Sequence, residues 1–311
     1  MIKNLIFDFF IHQQLPKYTV ENITNTINNH AINTSKLTQT TLSNNYNLVK
    51  NVPEYLHFTP NFNFNAGLKT IKQYNGYLIN LKEADSLKSY IQNQLSLRNQ
   101  KAIKSKKNRL EKSHQIRYKT YYGGCEVEDL IVLFEEFHEL LKVRFDYKKI
   151  YNRDLENWKV LTSVAIRGIL SKNASLFVIF EANRPICLTL NFHRDSLVFS
   201  HIQTFDNNYA KYGLGDLNMS LMIKWCLENE VTMIDLSMGS TYYKKKWCNI
   251  EYSFHHHIIY DKNSFLNTSV AFISLAYYRI LYWLRKHKVI GSFIRFDRLK
   301  YFLLRKRYLN S

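Results

Sequence analysis

Three strand-length apolar runs follow one another at residues 176–180, 186–192 and 197–205, joined by turns at 182–185 and 194–196 that are too short to hold a helix. A parallel return needs a crossover of a dozen residues or so, so these three runs must pair antiparallel as a meander. The next segment is Tyr212-Gly213-Leu214-Gly215-Asp216, and it opens a helical pattern with Leu217, Leu221, Met222, Trp225 and Cys226 on one side. A strand at 231–237 stops at Gly239, and another runs over 252–260. Helices, meander, glycine turn, helix and two more strands describe a mixed α/β chain and exclude an all-helical one.

Upstream of the meander, residues 83–113 hold neither Gly nor Pro and place Leu87, Ile91, Leu95, Ile103 and Leu110 near helical spacing, which predicts one long helix. It carries Arg98, Lys101, Lys104, Lys106, Lys107, Arg109 and Lys112, a run that suits a solvated face and a phosphate contact equally well. Gly123-Gly124 breaks the chain. A second helix is expected over 126–143 through Leu130, Leu133, Phe134, Phe137 and Leu141, and a short third one through Val164 and Ile169. Residues 21–50, with eight Asn and six Thr, read as irregular chain, and strand-like pieces stand at 5–10, 54–58 and 77–81.

The four cysteines, Cys125, Cys187, Cys226 and Cys248, have no Cys-x-x-Cys spacing and no histidine partners at zinc-ligand distances, so a reduced, cytoplasmic protein without a structural metal is expected. Asp8 interrupts the apolar N-terminus, which argues against a secretory signal. Of His255, His256 and His257 only the outer two share a strand face and no third ligand is evident, so a metal site is not expected there. Of the formal net charge of +18, ten units lie in residues 262–311, where Asp297 stands alone against eleven Lys and Arg. Such a patch meets phosphate: anionic lipid, a lipid-linked pyrophosphate or RNA. Residues 265–284 are mostly apolar with Arg279 inside, and basic and aromatic residues then alternate to Tyr308. That is too interrupted for a membrane span. It fits both an interfacial helix at the inner face of the membrane and a helix packed on the domain.

Chemistry concentrates at two places. The Gly213-Leu214-Gly215 turn at a helix start lets backbone N–H groups approach a phosphate, with Lys211 and Asp216 beside it, although two glycines before a helix are more often only a tight turn. The second is the apolar strand Ile234-Asp235-Leu236-Ser237-Met238 that stops at Gly239 and leads through Ser240 and Thr241 to Tyr242-Tyr243-Lys244-Lys245-Lys246-Trp247. This segment resembles the end of the GNAT domain in the CelD-like acyltransferases of cellulose and exopolysaccharide biosynthesis. That branch is distantly similar to the Fem aminoacyltransferases. Asp235, Gly239, Tyr243, Lys244 and Trp247 match its pattern, as do Phe205-Asp206, Tyr209, Tyr212 and Gly215 upstream.

The resemblance implies a GNAT fold, a mixed central sheet flanked by helices, over residues 85–261. It leaves residues 1–84 room to form a degenerate GNAT-like lobe, as Fem relatives have two, and sets 262–311 apart as a basic helical tail. It further implies transfer of an acyl group from acyl-CoA, acetyl-CoA first, to an amine or hydroxyl of a surface-polysaccharide, cell-envelope or lipid-linked acceptor within one ternary complex. In that reading Lys211, Gly213, Leu214, Gly215 and Asp216 hold the cofactor. Lys244, with Tyr243 beside it, is the candidate for the oxyanion, the alternative being a solvent-facing member of the Lys triplet, and His201 on the third meander strand is the candidate base, although a lone histidine on a strand is more often a satisfied core residue. Asp235, a carboxylate in an apolar strand, is either paired with a Lys or Tyr or catalytic. The chain departs from the family at Leu214, where Pro is common, at Ala210, where GNAT proteins have Gln or Arg, and at Ser240, where an acid is frequent. Two alternatives stay open: aminoacyl-tRNA as donor, as in Fem enzymes, and a GNAT domain kept for binding alone.

Overall fold

The computed structural model describes residues 2–16, 23–43, 45–58, 60–62, 64–293 and 295–308. The chain divides into two compact units, one made of 1–78, 237–245 and 250–294 and the other of 79–236, 246–249 and 295–311.

The second unit begins with α1 (Leu87–Gln94) and α2 (Leu97–Ser113), where the sequence predicts a single helix over 83–113. The break is made by serines. Ser86 and Ser89 form a reciprocal capping box at the start of α1, Leu95 is extended, and the Ser96 side chain accepts from Asn99 N–H to start α2 afresh. Then come β1 (Ile116–Tyr121), α3 (Val127–Lys148), the one-turn α4 (Arg153–Glu156) and α5 (Trp158–Leu170). The meander follows as β2 (Ala174–Glu181), β3 (Arg184–Arg194) and β4 (Leu197–Phe205), and the unit continues through α6 (Leu214–Glu228) into β5 (Met233–Met238). The strands lie in the order β5-β4-β3-β2-β1. All pairs are antiparallel except β4 with β5, which is parallel.

Helices α3 and α5 pack on one face of these strands and α6 on the other, with α1 and α2 against α6. Covered on both faces, β3 is buried from Pro185 to His193, so apolar residues point to both sides of it. Each fully buried Leu, Ile or Phe of this layer contributes about 1.5–3 kcal/mol by leaving water. The C-terminal helix Phe296–Tyr308 belongs to the same unit. Its Tyr301 is buried and donates to the Asp146 carboxylate, and Tyr151 N–H bonds to Asp297 O at 3.1 Å. The side chains of Arg305, Lys306 and Arg307 and residues 309–311, all part of the basic tail read from the sequence, lie outside the described residues.

In the first unit the strands Ile2–Asn4, Tyr46–Pro53, Ile250–Asp261 and Ala66–Asn80 lie side by side in that order. The first pair is parallel and the others antiparallel. Residues 5–10, expected as a strand, are a helix: Leu5, Ile6, Phe9 and Phe10 are all buried at helical spacing, a period that so short an apolar run hides. The Asn-rich stretch 21–50 is more ordered than its composition suggests, with short strands at Ile23–Asn25, His30–Ile32 and Thr38–Thr40 before the long Tyr46–Pro53. Of the piece expected at 54–58, only Leu56–His57 is strand. Helix Phe265–Lys286 seats Ala271 and Leu275 on Leu48, Ile71, Ile258 and Tyr260. Among the described residues no helix is long and apolar enough to cross a membrane.

Candidate functional site

Strands β4 and β5 are paired at Leu197, Val198 and Phe199, opposite Met233, Ile234 and Asp235. Beyond that ladder β4 runs on to Phe205, and among the described residues of this unit no strand lies along its free side. Parallel strands that part at their C-terminal ends open the kind of crevice in which α/β proteins bind ligands. Asp235 stands at the last rung, fully buried.

Just past the parting, the ladder between β3 and β4 slips. Asn191 pairs Ser200 and Leu190 pairs Ile202, so His201 is the extra residue of a bulge. A bulge re-aims the side chain it carries. The His201 ring sits between Phe192 and Phe199, and its Nε2 lies 3.4 Å from Asp154 Oδ1 at the start of α4. Burial raises the Asp154 pKa, but the hydrogen bond and charge of His201, with Arg153 behind them, more than reverse this and hold it below the usual value. One residue pair further along β4, Arg144 Nη1 of α3 donates to Gln203 O at 2.6 Å.

The turn at the other end of β4 is built by Asp206, whose carboxylate is bonded by Arg184 and accepts Asn208 N–H at 2.9 Å. A 3-10 helix, Asn207–Tyr212, leads to Gly213 at φ +65°, a left-handed conformation that glycine adopts without strain. Three cations gather there. Arg109 Nη2 donates to Lys211 O at 3.0 Å, Lys211 Nζ stands 5.1 Å from the centre of the Tyr212 ring, and Lys106 of α2 reaches Gly213, its Nζ 3.4 Å from the point where a Cβ would be. They surround the N-terminus of α6, where the backbone itself presents positive charge. Leu214 is buried beneath the turn, and Gly215 lies in the first helical turn. The fit to a phosphate is therefore good: a backbone that can approach closely, plus three cations.

Asp216 is committed elsewhere. Its Oδ1 accepts Trp247 Nε1–H at 2.9 Å and pairs with Lys246. Tyr90 OH donates to Trp247 O at 2.5 Å, and Gln94 Nε2 bonds Lys246 O and Cys248 O at 3.1 and 2.8 Å. The Trp247 of the sequence motif is thus an anchor, fully buried.

Lys244, expected at the oxyanion, has its ammonium on the carbonyls of Ser237 and Met238 at 3.3 and 2.5 Å, within the first unit, with Tyr243 half-buried beside it in the helix Tyr242–Trp247. The structure therefore gathers Lys211, Gly213, Leu214, Gly215 and Asp216 at one turn and places His201 at the far part of the strand leading to it. Asp154 escaped the sequence reading because nothing in a short polar helix 47 residues upstream points to β4. Lys106 and Arg109 did have a signal, the basic run of α2.

Residues 98–245 match the profile of the acetyltransferase (GNAT) domain. The match covers a little less than half of the chain and takes in α2 through β5, with the cation-lined turn and the His201–Asp154 pair, so this stretch is similar to a GNAT acetyltransferase domain. No curated protein is similar enough in sequence to match. Among solved structures, FemX is similar at 11% identity and a TM-score of 0.50, over 65% of each chain. At that identity the likeness concerns the GNAT fold. Lower TM-scores are found for the C-terminal domain of a putative lysylphosphatidylglycerol synthetase from Agrobacterium fabrum, 0.47 at 7% identity over 74% of this chain and 71% of that one. A predicted acetyltransferase with acetyl-CoA from Clostridium acetobutylicum gives 0.32 at 10% identity, over 42% and 83%.

Proposed function

We propose that this GNAT domain transfers an acyl group from acyl-CoA to an amine or hydroxyl of a cell-envelope or lipid-linked acceptor, with His201 as the base. The observation that carries the donor is the meeting of Lys106, Arg109 and Lys211 at Gly213 and the start of α6, which suits the pyrophosphate of a coenzyme. When bound, that coenzyme supplies an acyl thioester, whose carbonyl is open to direct attack. His201 acts on the acceptor. His201 Nε2 faces Asp154 Oδ1 at 3.4 Å, and in this reading the Asp154 carboxylate stabilises the imidazolium that forms when the ring takes the proton from the attacking nitrogen or oxygen. Asp216, Lys246 and Trp247 hold the chain beyond β5 to the first turn of α6 and so fix the turn that receives the phosphates.

The match of Asp235, Gly239, Tyr243, Lys244 and Trp247 to the CelD-like pattern supports an envelope polysaccharide as acceptor. The outer face of helix Phe265–Lys286 supports work at a membrane surface. Phe265, Leu266, Ile273 and Ile280 are 88%, 71%, 69% and 59% exposed, and the helix carries Arg279, Arg285 and Lys286 with no acid.

Calorimetric titration with acetyl-CoA and longer acyl-CoAs tests the donor. The wild type is expected to bind at micromolar concentration, and Lys106→Glu with Lys211→Glu to weaken binding at least tenfold in a protein of unchanged thermal midpoint. A folded wild type that takes up no thioester would move the donor to aminoacyl-tRNA, the second reading, which the basic run of α2 favours.

A further inference from the structure

Helix α2 presents cations in two directions. Lys106 and Arg109 serve the Gly213 turn, whereas Lys104 and Lys107 border a cavity of about 800 Å³ between α1, α2 and α6. Its floor includes Ile91, Ile103 and Leu221, and Lys88 and Lys224 complete the rim with the two lysines of α2. We infer that this cavity is a separate binding site for a long-chain lipid phosphate, its hydrocarbon on the aliphatic floor and its head among the four ammonium groups.

The volume falls in the range of small-ligand sites. Each methylene that an aliphatic floor removes from water is worth about fourfold in affinity, so the floor selects hydrocarbon over a sugar or a bare phosphate. The rim selects charge. Lysines meet phosphate as point charges without a stacking plane or a bidentate fork, which favours a monoester head over a planar ring. The two acids nearest the rim lysines do not cancel it: Glu111 and Glu228 pair with Lys107 and Lys224 at 3.8 and 3.7 Å as exposed neighbours one helical turn on, the weakest class of ion pair. The site is not the catalytic one. The cavity lies on the α6 face of the strands, whereas His201 meets Asp154 among the helices α3, α4 and α5 that cover the opposite face. The inference goes beyond the donor reading and does not depend on it.

The test titrates the full chain with decyl phosphate below its micellar concentration, and in parallel with inorganic phosphate and with uncharged decyl maltoside. One equivalent of decyl phosphate is expected to bind at least tenfold more tightly than either control. Leu221→Asp and, separately, Lys104→Glu with Lys107→Glu should each remove at least tenfold of that affinity while acetyl-CoA affinity stays within twofold. The lysine variant is a surface change, so it reports even if Leu221→Asp loses its fold. Equal affinity for decyl phosphate and decyl maltoside overturns the proposal, as does binding that survives the lysine variant. Displacement of decyl phosphate by acetyl-CoA also overturns it, since the cavity would then belong to the donor site.

Discussion

His201 Nε2 lies 3.4 Å from Asp154 Oδ1, joining the bulge of a core strand to a one-turn helix across 47 residues of sequence. The His201 side chain is only 3% exposed and the Asp154 side chain 20%, so the pair is shielded from solvent, where a carboxylate stabilises an imidazolium more than it would in water. His201→Gln is expected to lower kcat for acyl transfer about 100-fold or more, and Asp154→Asn by a comparable factor, with little change in the KM for the thioester. Because the two act as a unit, the double variant should be no slower than the slower single one. Full activity in His201→Gln would reduce the pair to a structural tie between α4 and β4.

Asp216 gives a stability prediction. The Lys246 side chain is 9% exposed and its charge meets the Asp216 carboxylate, which also accepts Trp247 Nε1–H. Asp216→Ala leaves a nearly buried ammonium and an indole N–H without that acceptor, a loss expected to cost about 3–5 kcal/mol. Asp216→Leu combined with Lys246→Met removes both charges and should recover much of it. Urea denaturation midpoints decide the point, and equal midpoints for Asp216→Ala and wild type would contradict it.

These two pairs mark how far the sequence can be read. The meander was legible because its three strands are consecutive, mostly apolar and joined by short turns, so local pattern and final pairing coincide. The glycine turn was legible because Gly213 needs its positive φ. The division of 83–113 into two helices was not, since both halves have helical periodicity and the break lies in the backbone at Leu95 and the Ser96 cap. The pairing of Tyr46–Pro53 with Ile250–Asp261 leaves no local trace, being set by which apolar faces meet across two hundred residues. His201 was visible as a histidine on a strand, but the role proposed for it turns on the bulge and on Asp154, both properties of pairing rather than of sequence.

Buried histidines make the fold sensitive to mild acid. His193 bonds Ser175 Oγ at 2.7 Å and is held down to about 3 by burial, so it stays neutral when folded while an unfolded histidine titrates near 6.5. As pH falls below 6.5 the unfolded chain takes up a proton that the folded one refuses, and stability is lost at about 1.4 kcal/mol per pH unit until the folded group titrates. His256 and His257, both lowered by burial to about 4, act in the same direction. His193→Asn should flatten the slope of unfolding free energy between pH 6.5 and 5 by about 1 kcal/mol per unit on average, measured where carboxylates remain ionised. A slope unchanged by the substitution would show that His193 is protonated in the native protein.

The outer face of helix Phe265–Lys286 makes the last prediction. Leu266, Val270, Ile273, Tyr277 and Ile280 recur at spacings of four and three, which lines them up along one side, and all are exposed, while Ala271 and Leu275 hold the opposite side to the strands. Trp283 is also exposed, and the last turn carries Arg285 and Lys286. The helix carries Arg279, Arg285 and Lys286 and no acid, and an anionic lipid surface answers both the apolar stripe and the cations. The protein should therefore float with vesicles containing phosphatidylglycerol and stay behind with phosphatidylcholine vesicles. Leu266→Glu with Ile273→Glu should abolish flotation without moving the thermal midpoint, because neither side chain packs into the core. Intact protein that ignores anionic vesicles, or a variant that floats as well as wild type, would assign the stripe to a protein partner instead.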